Sequence, residues 1–556
     1  LDSEFSPLSQ RDVVPNPRLR DDLPFIYTEP LPEPFIYPPE SLIYIEPRPK
    51  PELPDLGQIQ VAKIQVTGST VFSPEELKEI VRPYEGRNLT SEQLAEVINQ
   101  IAQLYSVQGY TTSGVIAKLD QIPPPDGVVQ IQVTEGSLEE IRIEGTRRVN
   151  PKYIRNRILL NARKPLDTAK LEEQLRLLHI NPLFYSVKAK LQNGTRNGQS
   201  ILTVRVTEAN PFEGSINIDS YSPPSIGSEH LGLNLLHRNL TGNGDKIDAF
   251  YYHTTTSGKE EFDISYQIPL NIRNGTLQLR ANRTRNQITQ ESLNTFGIDG
   301  KSELYELSFR QPLIYTAQEE FALSGGFSYK DGQTFIFNNI LQPFSIGADA
   351  NGVTRTSVFR FGQDYLKRDV QGAWSVRSRF SFGTSLLDAT TNPSPIPDSK
   401  FFSWLGQIQR FQRLDENHWL LVSFDVQLTP DSLLPSEQFA IGGGQSIRGY
   451  RQYARSGDNG FRFSIEDRIT LGRFGGGFPT FQLIPFVDLG KVWNNPNNPD
   501  PLPKQTFLVS TGLELLWRPI PGVNIRLGYG FPIIDLDDRG TNAQDEGFYF
   551  GVNYYF

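Results

Sequence analysis

The sequence predicts a sixteen-stranded antiparallel transmembrane β-barrel, an all-β membrane fold, preceded by two small α+β modules. Three observations carry this. Helical hydrophobic periodicity is confined to residues 58–211, where one order of elements occurs twice. From about 213 onward the period changes to two and stays there for more than 340 residues. No window reaches the ~18 consecutive apolar residues of a spanning helix, whereas a barrel strand needs only ~9–11 residues and averages out as hydrophilic. The 37 % apolar content therefore excludes a helical membrane protein but not a barrel, and 35 Phe, 22 Tyr and 5 Trp suit one.

Residues 1–57 hold 13 of the 41 prolines, in runs such as Pro30-Leu31-Pro32-Glu33-Pro34. Proline at this density blocks helix and sheet hydrogen bonding, so an extended leader or linker is expected. Within it Phe25-Ile26-Tyr27, Phe35-Ile36-Tyr37 and Leu42-Ile43-Tyr44-Ile45 repeat an apolar-aromatic pattern about every ten residues. A passive spacer is the first reading of such composition, and the triplets leave a docking segment as the alternative. Met is absent and Leu1 opens no signal-peptide pattern, so the sequence is expected to begin after a processed or trimmed segment.

The first module, 58–136, reads as strand 60–66, helix 73–81, helix 91–107, strand 111–119 and strand 128–134. Ser73-Pro74-Glu75-Glu76 supplies an N-cap, a first-turn proline and first-turn acids. Leu94, Ile98, Ile101 and Leu104 give the second helix one apolar face. The second module, 137–211, repeats the order: strand 138–143, helix 150–159, helix 168–178, strand 186–191 and strand 200–207. Asn150-Pro151 repeats the capped start, and Leu171, Leu175 and Leu178 repeat the apolar face.

The barrel, 212–556, is read from alternation. At the C-terminus Phe548, Phe550, Val552, Tyr554 and Phe556 share one face, and Gly547, Tyr549, Gly551, Asn553 and Tyr555 the other. Strands are expected near 213–221, 230–238, 246–255, 259–269, 274–283, 301–313, 319–329, 353–364, 372–384, 399–413, 417–428, 459–470, 480–490, 506–517, 522–530 and 547–556. Many exceed the ~5–6 residues typical of soluble strands.

At these residues the chain resembles the transporters of two-partner secretion, the TpsB family of haemolysin and haemagglutinin secretion/activation proteins within the BamA superfamily. The two modules resemble the family's paired POTRA domains. Ile447-Arg448-Gly449-Tyr450 resembles the tip of its long sixth surface loop, here 429–458, which in the family folds back into the barrel. Phe486-Val487-Asp488-Leu489-Gly490 resembles the F-x-D-x-G motif of the thirteenth strand, and Gly460 followed by Glu466 the pattern of the twelfth. Tyr266–Leu270 and Asn239–Asp245 resemble early-barrel signatures more loosely. The resemblance implies an outer-membrane translocase with its POTRA domains and N-terminus in the periplasm, an unfolded TpsA-like exoprotein as partner, and outer-membrane lipid and lipopolysaccharide around it. A monomer is expected. The Pro-rich leader is in keeping with cyanobacterial members. It lacks a capped stretch long enough for the plug helix with which such transporters commonly begin.

The motif residues also have a physical logic of their own. With Phe461, Phe463 and Ile465 toward lipid, Ser464 and Glu466 face the lumen; with Val487 and Leu489 outward, Phe486, Asp488 and Gly490 face inward. Two adjacent strands thus aim carboxylates at one patch. Arg448, on a glycine-flanked loop, is the natural bidentate partner, and the expected role is a conformational latch. For substrate capture the candidates are Tyr105, Tyr110, Thr111 and Ile116 of the first module, where an extended segment could add to a sheet edge beside a helix. Ile101 and Leu104 fit the module's own core equally well.

Two other functions compete. A BamA-type assembly factor shares the Arg448 and Asp488 motifs but usually carries more POTRA copies. A passive porin needs neither the modules nor the inward Arg loop. An enzyme is not expected, because G-x-S-x-G, Walker and H-E-x-x-H patterns are absent and the five histidines are scattered. No cofactor or metal is expected, and the acidic run Asp535–Asp538 reads as solvated loop charge. Zero cysteines exclude thiolate chemistry, and a net charge of −9 argues against nucleic acid.

Overall fold

The computed structural model describes residues 41–47, 57–118, 127–337, 340–474 and 479–556. The first two apolar-aromatic triplets and most of the leader, including any plug, lie outside them. The chain divides into two units, one holding the tandem modules (Pro38–Asn210, with Thr241–Gly244) and one the barrel (Pro211–Leu240 and Asp245–Phe556).

In the modules, a leader strand β1 (Ile43–Ile45) precedes β2 (Gln58–Val61), β3 (Lys63–Thr67), α1 (Pro74–Val81), β4 (Arg87–Thr90), α2 (Ser91–Val107), β5 (Gly114–Lys118) and β6 (Val128–Thr134). The second module follows as β7 (Ser137–Glu144), α3 (Pro151–Leu159), α4 (Thr168–His179), β8 (Phe184–Asn193) and β9 (Gln199–Glu208). The helices start where capping chemistry places them. Ser73 Oγ accepts from Glu76 N while Ser73 N donates to Glu76 Oε2, a complete capping box, and Asn150 and Asp167 cap α3 and α4. Leu94, Ile98 and Ile101 are fully buried against Ile131 and Leu89, and Leu171 and Leu175 fill the equivalent core of the second module.

Both modules share one sheet plan. β3 runs parallel to β6 and β5 antiparallel to it, as β7 and β8 do with β9. The expected strand 111–119 begins only at Gly114, because Tyr110–Ser113 form a turn closed by Ser113 N donating to Tyr110 O. The third leader triplet does dock: Ile43–Ile45 pairs in parallel with Ala189–Leu191 of β8 and buries Ile43. The edge of β8 is therefore covered by the chain itself. Among the described residues no strand pairs with the corresponding edge of β5.

The repeat extends to a carboxylate. Each module closes on a Thr-Glu pair, Thr134-Glu135 after β6 and Thr207-Glu208 in β9, and these Glu side chains close the loops after β3 and β7. Glu135 accepts from Thr70 N, Thr70 Oγ1 and Val71 N; Glu208 accepts from Arg147, Arg148 and Val149 N. Burial alone would push both carboxyls up, but these donors outweigh it and hold both below the ordinary glutamate value of 4.5. A depressed folded value contributes stability that is complete above pH 4.5 and is lost as pH falls through the folded value. The module pair is thus expected to lose stability progressively on acidification below about pH 4.5. Glu135→Ala, which removes the acceptor of two partly buried N–H groups and of the Thr70 and Tyr105 hydroxyls, should cost about 1–3 kcal/mol in urea unfolding. It should also flatten the acid limb; an unchanged pH profile would show that this carboxylate is not the titrating group.

Sixteen strands form the barrel wall. They are β10 (Phe212–Asp219), β11 (His230–Arg238), β12 (Lys246–Thr254), β13 (Lys259–Pro269), β14 (Thr276–Gln287), β15 (Asp299–Tyr315), β16 (Glu319–Ile336) and β18 (Val353–Asp369). The second half comprises β19 (Gly372–Thr384), β20 (Phe402–Arg413), β21 (His418–Leu428), β24 (Asn459–Arg473), β25 (Pro479–Trp493), β26 (Phe507–Trp517), β27 (Val523–Pro532) and β28 (Phe548–Tyr555). The two-residue β17 (Ile340–Leu341) pairs only with the end of β16, which itself pairs directly with β18, so β17 is not part of the wall. β22 (Phe439–Ile441) and β23 (Arg455–Gly457) form a hairpin inside the sixth loop. β10 pairs with β28 and closes the cylinder, which leaves no edge.

Each expected strand exists. The main departures are extensions at one end, as in β16 and β18, which run on past the apolar belt with polar residues such as Lys330, Asp331 and Gln333. The outer face is apolar and solvent- or lipid-exposed at alternate positions, for example Leu231, Leu233 and Leu235, or Leu527, Tyr529 and Phe531. The inner face is polar and zipped by cross-strand pairs. Arg280 reaches Asp263 at 2.8 Å, Arg377 reaches Asp364 at 2.9 Å, and Arg462 pairs with Asp425. A hydrophilic average thus conceals an apolar outside and a charged inside.

Candidate functional site

The sixth loop, 429–458, enters the lumen and ends on the wall formed by β24, β25 and β26. Its base is braced by Asp458, which is fully buried and accepts from Leu433 N, Asn495 N and the Asn498 side chain. From the β22–β23 hairpin the chain turns through Gly442 and Gly443, both at φ near +105°, a conformation that side chains with a Cβ rarely adopt. This turn delivers Ile447–Tyr450 to the wall.

Arg448 is 4 % exposed and all five of its guanidinium hydrogens are used. Nε donates to Asp488 Oδ2 at 2.7 Å and Nη2 to Asp488 Oδ1 at 2.8 Å, the bidentate fork expected from the sequence. Nη1 donates to Glu466 at 3.0 Å and to Glu514 at 3.1 Å, and Nη2 also reaches Ser464 Oγ at 3.2 Å. Its backbone N–H adds a bond to Asp488 at 3.1 Å. The guanidinium lies over the Phe486 ring, 3.5 Å from its centroid, so cation–π contact closes the remaining face. Arg468 and Arg526 flank Glu466 and Glu514, so three cations face three carboxylates and the buried cluster is formally neutral. That balance is what makes so much charge tolerable away from water.

The neighbours of Arg448 fix its approach. Ile447 and Tyr450 are buried with Ile441, Val492 and Leu508 in a small apolar cluster. Gly490 lies under Ile447, where a Cβ would come within 2.6 Å of the Ile447 side chain. Gly449 meets Gly530 of β27 backbone to backbone; a Cβ on Gly530 would sit 2.3 Å from Gly449 N. Tyr549 of β28 accepts from Gly449 N at 3.0 Å and donates to Tyr450 O at 2.6 Å.

The structure brings together Ile447, Arg448, Gly449, Tyr450, Glu466, Phe486, Asp488 and Gly490, all eight expected residues of the loop and lumen. Glu514, Gly530 and Tyr549 were not expected. Parity already aimed them inward, Glu514 as the one charge between Leu513 and Leu515, but only the seated loop gives them a partner. In the first module the candidates fare differently. Tyr105 is completely buried, with its hydroxyl 2.6 Å from Ser69 Oγ and within reach of Glu135, so it is a core residue and not a binding surface. Burial pushes its phenol up to about 12, which keeps it a neutral donor. Tyr110 packs edge-on against Tyr105, and Thr111 lies in the turn before β5 with its Oγ1 on Thr168. Ile116 stands on the open strand and is 38 % exposed. Ile101 is buried and Leu104 partly so, in keeping with a core role.

Comparison with known proteins places the family and the fold. Residues 198–515 match the family model of the haemolysin secretion/activation protein ShlB/FhaC/HecB. Residues 59–136 match the ShlB-type POTRA domain, and 137–209 match the POTRA model described as a surface antigen variable number repeat. The outer membrane transporter CdiB of Escherichia coli is 25 % identical over 419 residues, covering 72 % of this chain and 67 % of the relative. The hemolysin transporter protein ShlB of Serratia marcescens is 23 % identical over 505 residues, covering 88 % and 83 %. The solved structure of Escherichia coli CdiB superposes with a TM-score of 0.67 at 20 % identity, over 97 % of this chain and 96 % of that one, which establishes a shared fold.

Proposed function

The chain belongs to the haemolysin secretion/activation family ShlB/FhaC/HecB, and from that premise we propose that it captures an unfolded exoprotein in the periplasm and exports it through the barrel, with the Arg448 loop as the latch. It is an outer-membrane β-barrel transporter of the two-partner secretion family, with its POTRA modules in the periplasm. The observation that carries the latch reading is the complete use of Arg448 by Asp488, Glu466, Glu514 and Ser464 on two strands and a third beside them. A porin wall has no reason to bury a surface-loop guanidinium in this way. The two POTRA modules favour export over a BamA-type assembly role.

Capture is assigned to the open edge of β5. An incoming extended segment would add as a strand there and lay alternate side chains over Ile116 and Val107, the latter 77 % exposed at the end of α2. Tyr110 and Thr111, in the turn before β5, border this surface. Ile116→Glu should leave the module folded, because the side chain faces out, and lower exoprotein in the medium about tenfold through the loss of a buried apolar contact and the addition of a desolvated charge. Unchanged export would move capture elsewhere. The whole reading is tested by co-expressing a large secreted β-helical protein with and without this barrel; equal release into the medium would end it. Working as a monomer within a lipid and lipopolysaccharide bilayer is part of the same proposal.

A further inference from the structure

The sixth loop is held from a second side, away from the lumen carboxylates. The last surface loop, 533–547, joins β27 to β28. Its Asp545 takes a bidentate fork from Arg451, Nε to Oδ1 at 2.7 Å and Nη2 to Oδ2 at 2.8 Å. Asp538 takes a second fork from Arg455, at 2.7 and 3.0 Å. Between them Gln544, 1 % exposed, accepts from Gln452 N at 2.9 Å. Its Nε2 lies 2.7 Å from Ser220 O and 2.6 Å from Ser222 O, just beyond the end of β10. Arg451, Gln452 and Arg455 follow Arg448 within seven residues, so one short stretch is clamped to the wall at its start and to the last loop along its length.

Two forked ion pairs and a buried amide on one loop exceed what is needed to order a surface connection, since exposed single pairs contribute little. Here one member of each pair is nearly inaccessible, Arg455 and Asp545 with side-chain exposures of 2 % and 3 %, while Asp538 and Arg451 keep 21 % and 15 %, so each fork is partly desolvated and its bidentate geometry fixes it. We propose that the last surface loop is a second lock, in which Asp545 and Asp538 are positioning residues that hold the sixth loop in the lumen by way of Arg451 and Arg455. The two locks act in parallel on one segment, so full release requires both to open. Because Gln544 also grips the backbone beyond β10, movement of the sixth loop is felt where the first and last strands meet. The proposal rests on the latch reading of Arg448, and its test separates the two.

The chain has no cysteine, so Ile447→Cys gives a single thiol at a fully buried position of the loop tip. Its maleimide reactivity in full-length protein reconstituted in lipid vesicles reports loop release, and heat-modifiable gel mobility confirms a folded barrel. In this background Asp545→Asn should raise the labelling rate about tenfold, the size expected from loss of one charge-assisted fork. Asp538→Asn should act in the same direction, and adding Arg448→Ala should raise the rate further than either lock alone. The exchange Arg451→Asp with Asp545→Arg should return labelling toward the starting rate, which a purely steric role of the loop would not produce. Fast labelling in Arg448→Ala with unchanged rates in Asp545→Asn and Asp538→Asn would overturn the second lock alone. Slow labelling in Arg448→Ala would overturn the latch itself. Should Asp545→Asn fail to fold, Arg451→Gln removes the same fork from the other side and is read in the same way.

Discussion

Arg448→Ala is expected to abolish export of the partner polypeptide while the barrel still assembles in the outer membrane. The substitution removes five hydrogen bonds and leaves Asp488, Glu466 and Glu514 with only Arg468 and Arg526, one buried negative charge in excess. Removing one partner of a buried pair typically costs about 3–5 kcal/mol, because the orphaned charge must be rehydrated. The loop-in state would lose that amount relative to a loop-out state in which water reaches the carboxylates. A change of this size shifts the two populations about a hundredfold or more. The wall itself should survive, because the pairing of β24 with β25 and of β25 with β26 is made by backbone groups that Arg448 does not touch. Arg448→Lys should behave nearer to Ala than to the native residue, since an ammonium cannot fork across Asp488 and also reach Glu466 and Glu514. Exoprotein in the medium, read against heat-modifiable mobility of the membrane-embedded barrel, measures both halves. Export at the native level by Arg448→Ala would remove the latch from the mechanism.

Gly530→Val should reach the same loss of export with every charge left in place. Gly530 is on the inner face of β27, between Tyr529 and Phe531 on the outer face, and Gly449 rests on it. A Cβ there would lie 2.3 Å from Gly449 N and 2.7 Å from the Arg448 carbonyl carbon. Both contacts are to backbone, which cannot rotate aside as a flexible side chain can. The tip would have to retreat by about an ångström, enough to spoil a bidentate fork that depends on short, aligned bonds. Valine suits a strand, so the wall should not suffer. Loss of export at least tenfold, comparable with that in Arg448→Ala, would show that seating of the loop, and not charge alone, is required; native export would show that the loop can work without this seat.

Much of this architecture is legible in the sequence. The period-two pattern located all sixteen wall strands because each crosses one apolar slab, and β11, β13 and β19 agree with their expected limits to the residue. The duplicated helix caps and apolar faces fixed two modules of one plan for the same kind of reason: caps and periodicity are local. Strand ends were less legible where β16 and β18 outrun the membrane, since hydrogen bonding continues after the apolar signal stops. Tyr105 misled because helical spacing shows that a residue faces inward or outward only relative to a partner sheet, and here its ring faces the core with its hydroxyl on Ser69 and Glu135.

The sequence by itself determined which side chains point into the lumen, because alternation is a property of the strand and needs no neighbour. It also determined that Arg448 sits on a loop free to turn. Only the tertiary structure decided which inward-facing residues beyond Asp488 the loop meets, since Glu514, Gly530 and Tyr549 reach Arg448 and Gly449 only when β24 to β28 pair in order and curve round the seated loop. That curvature gathers inward-facing residues spread over more than 80 positions around Arg448, where three carboxylates and three cations balance.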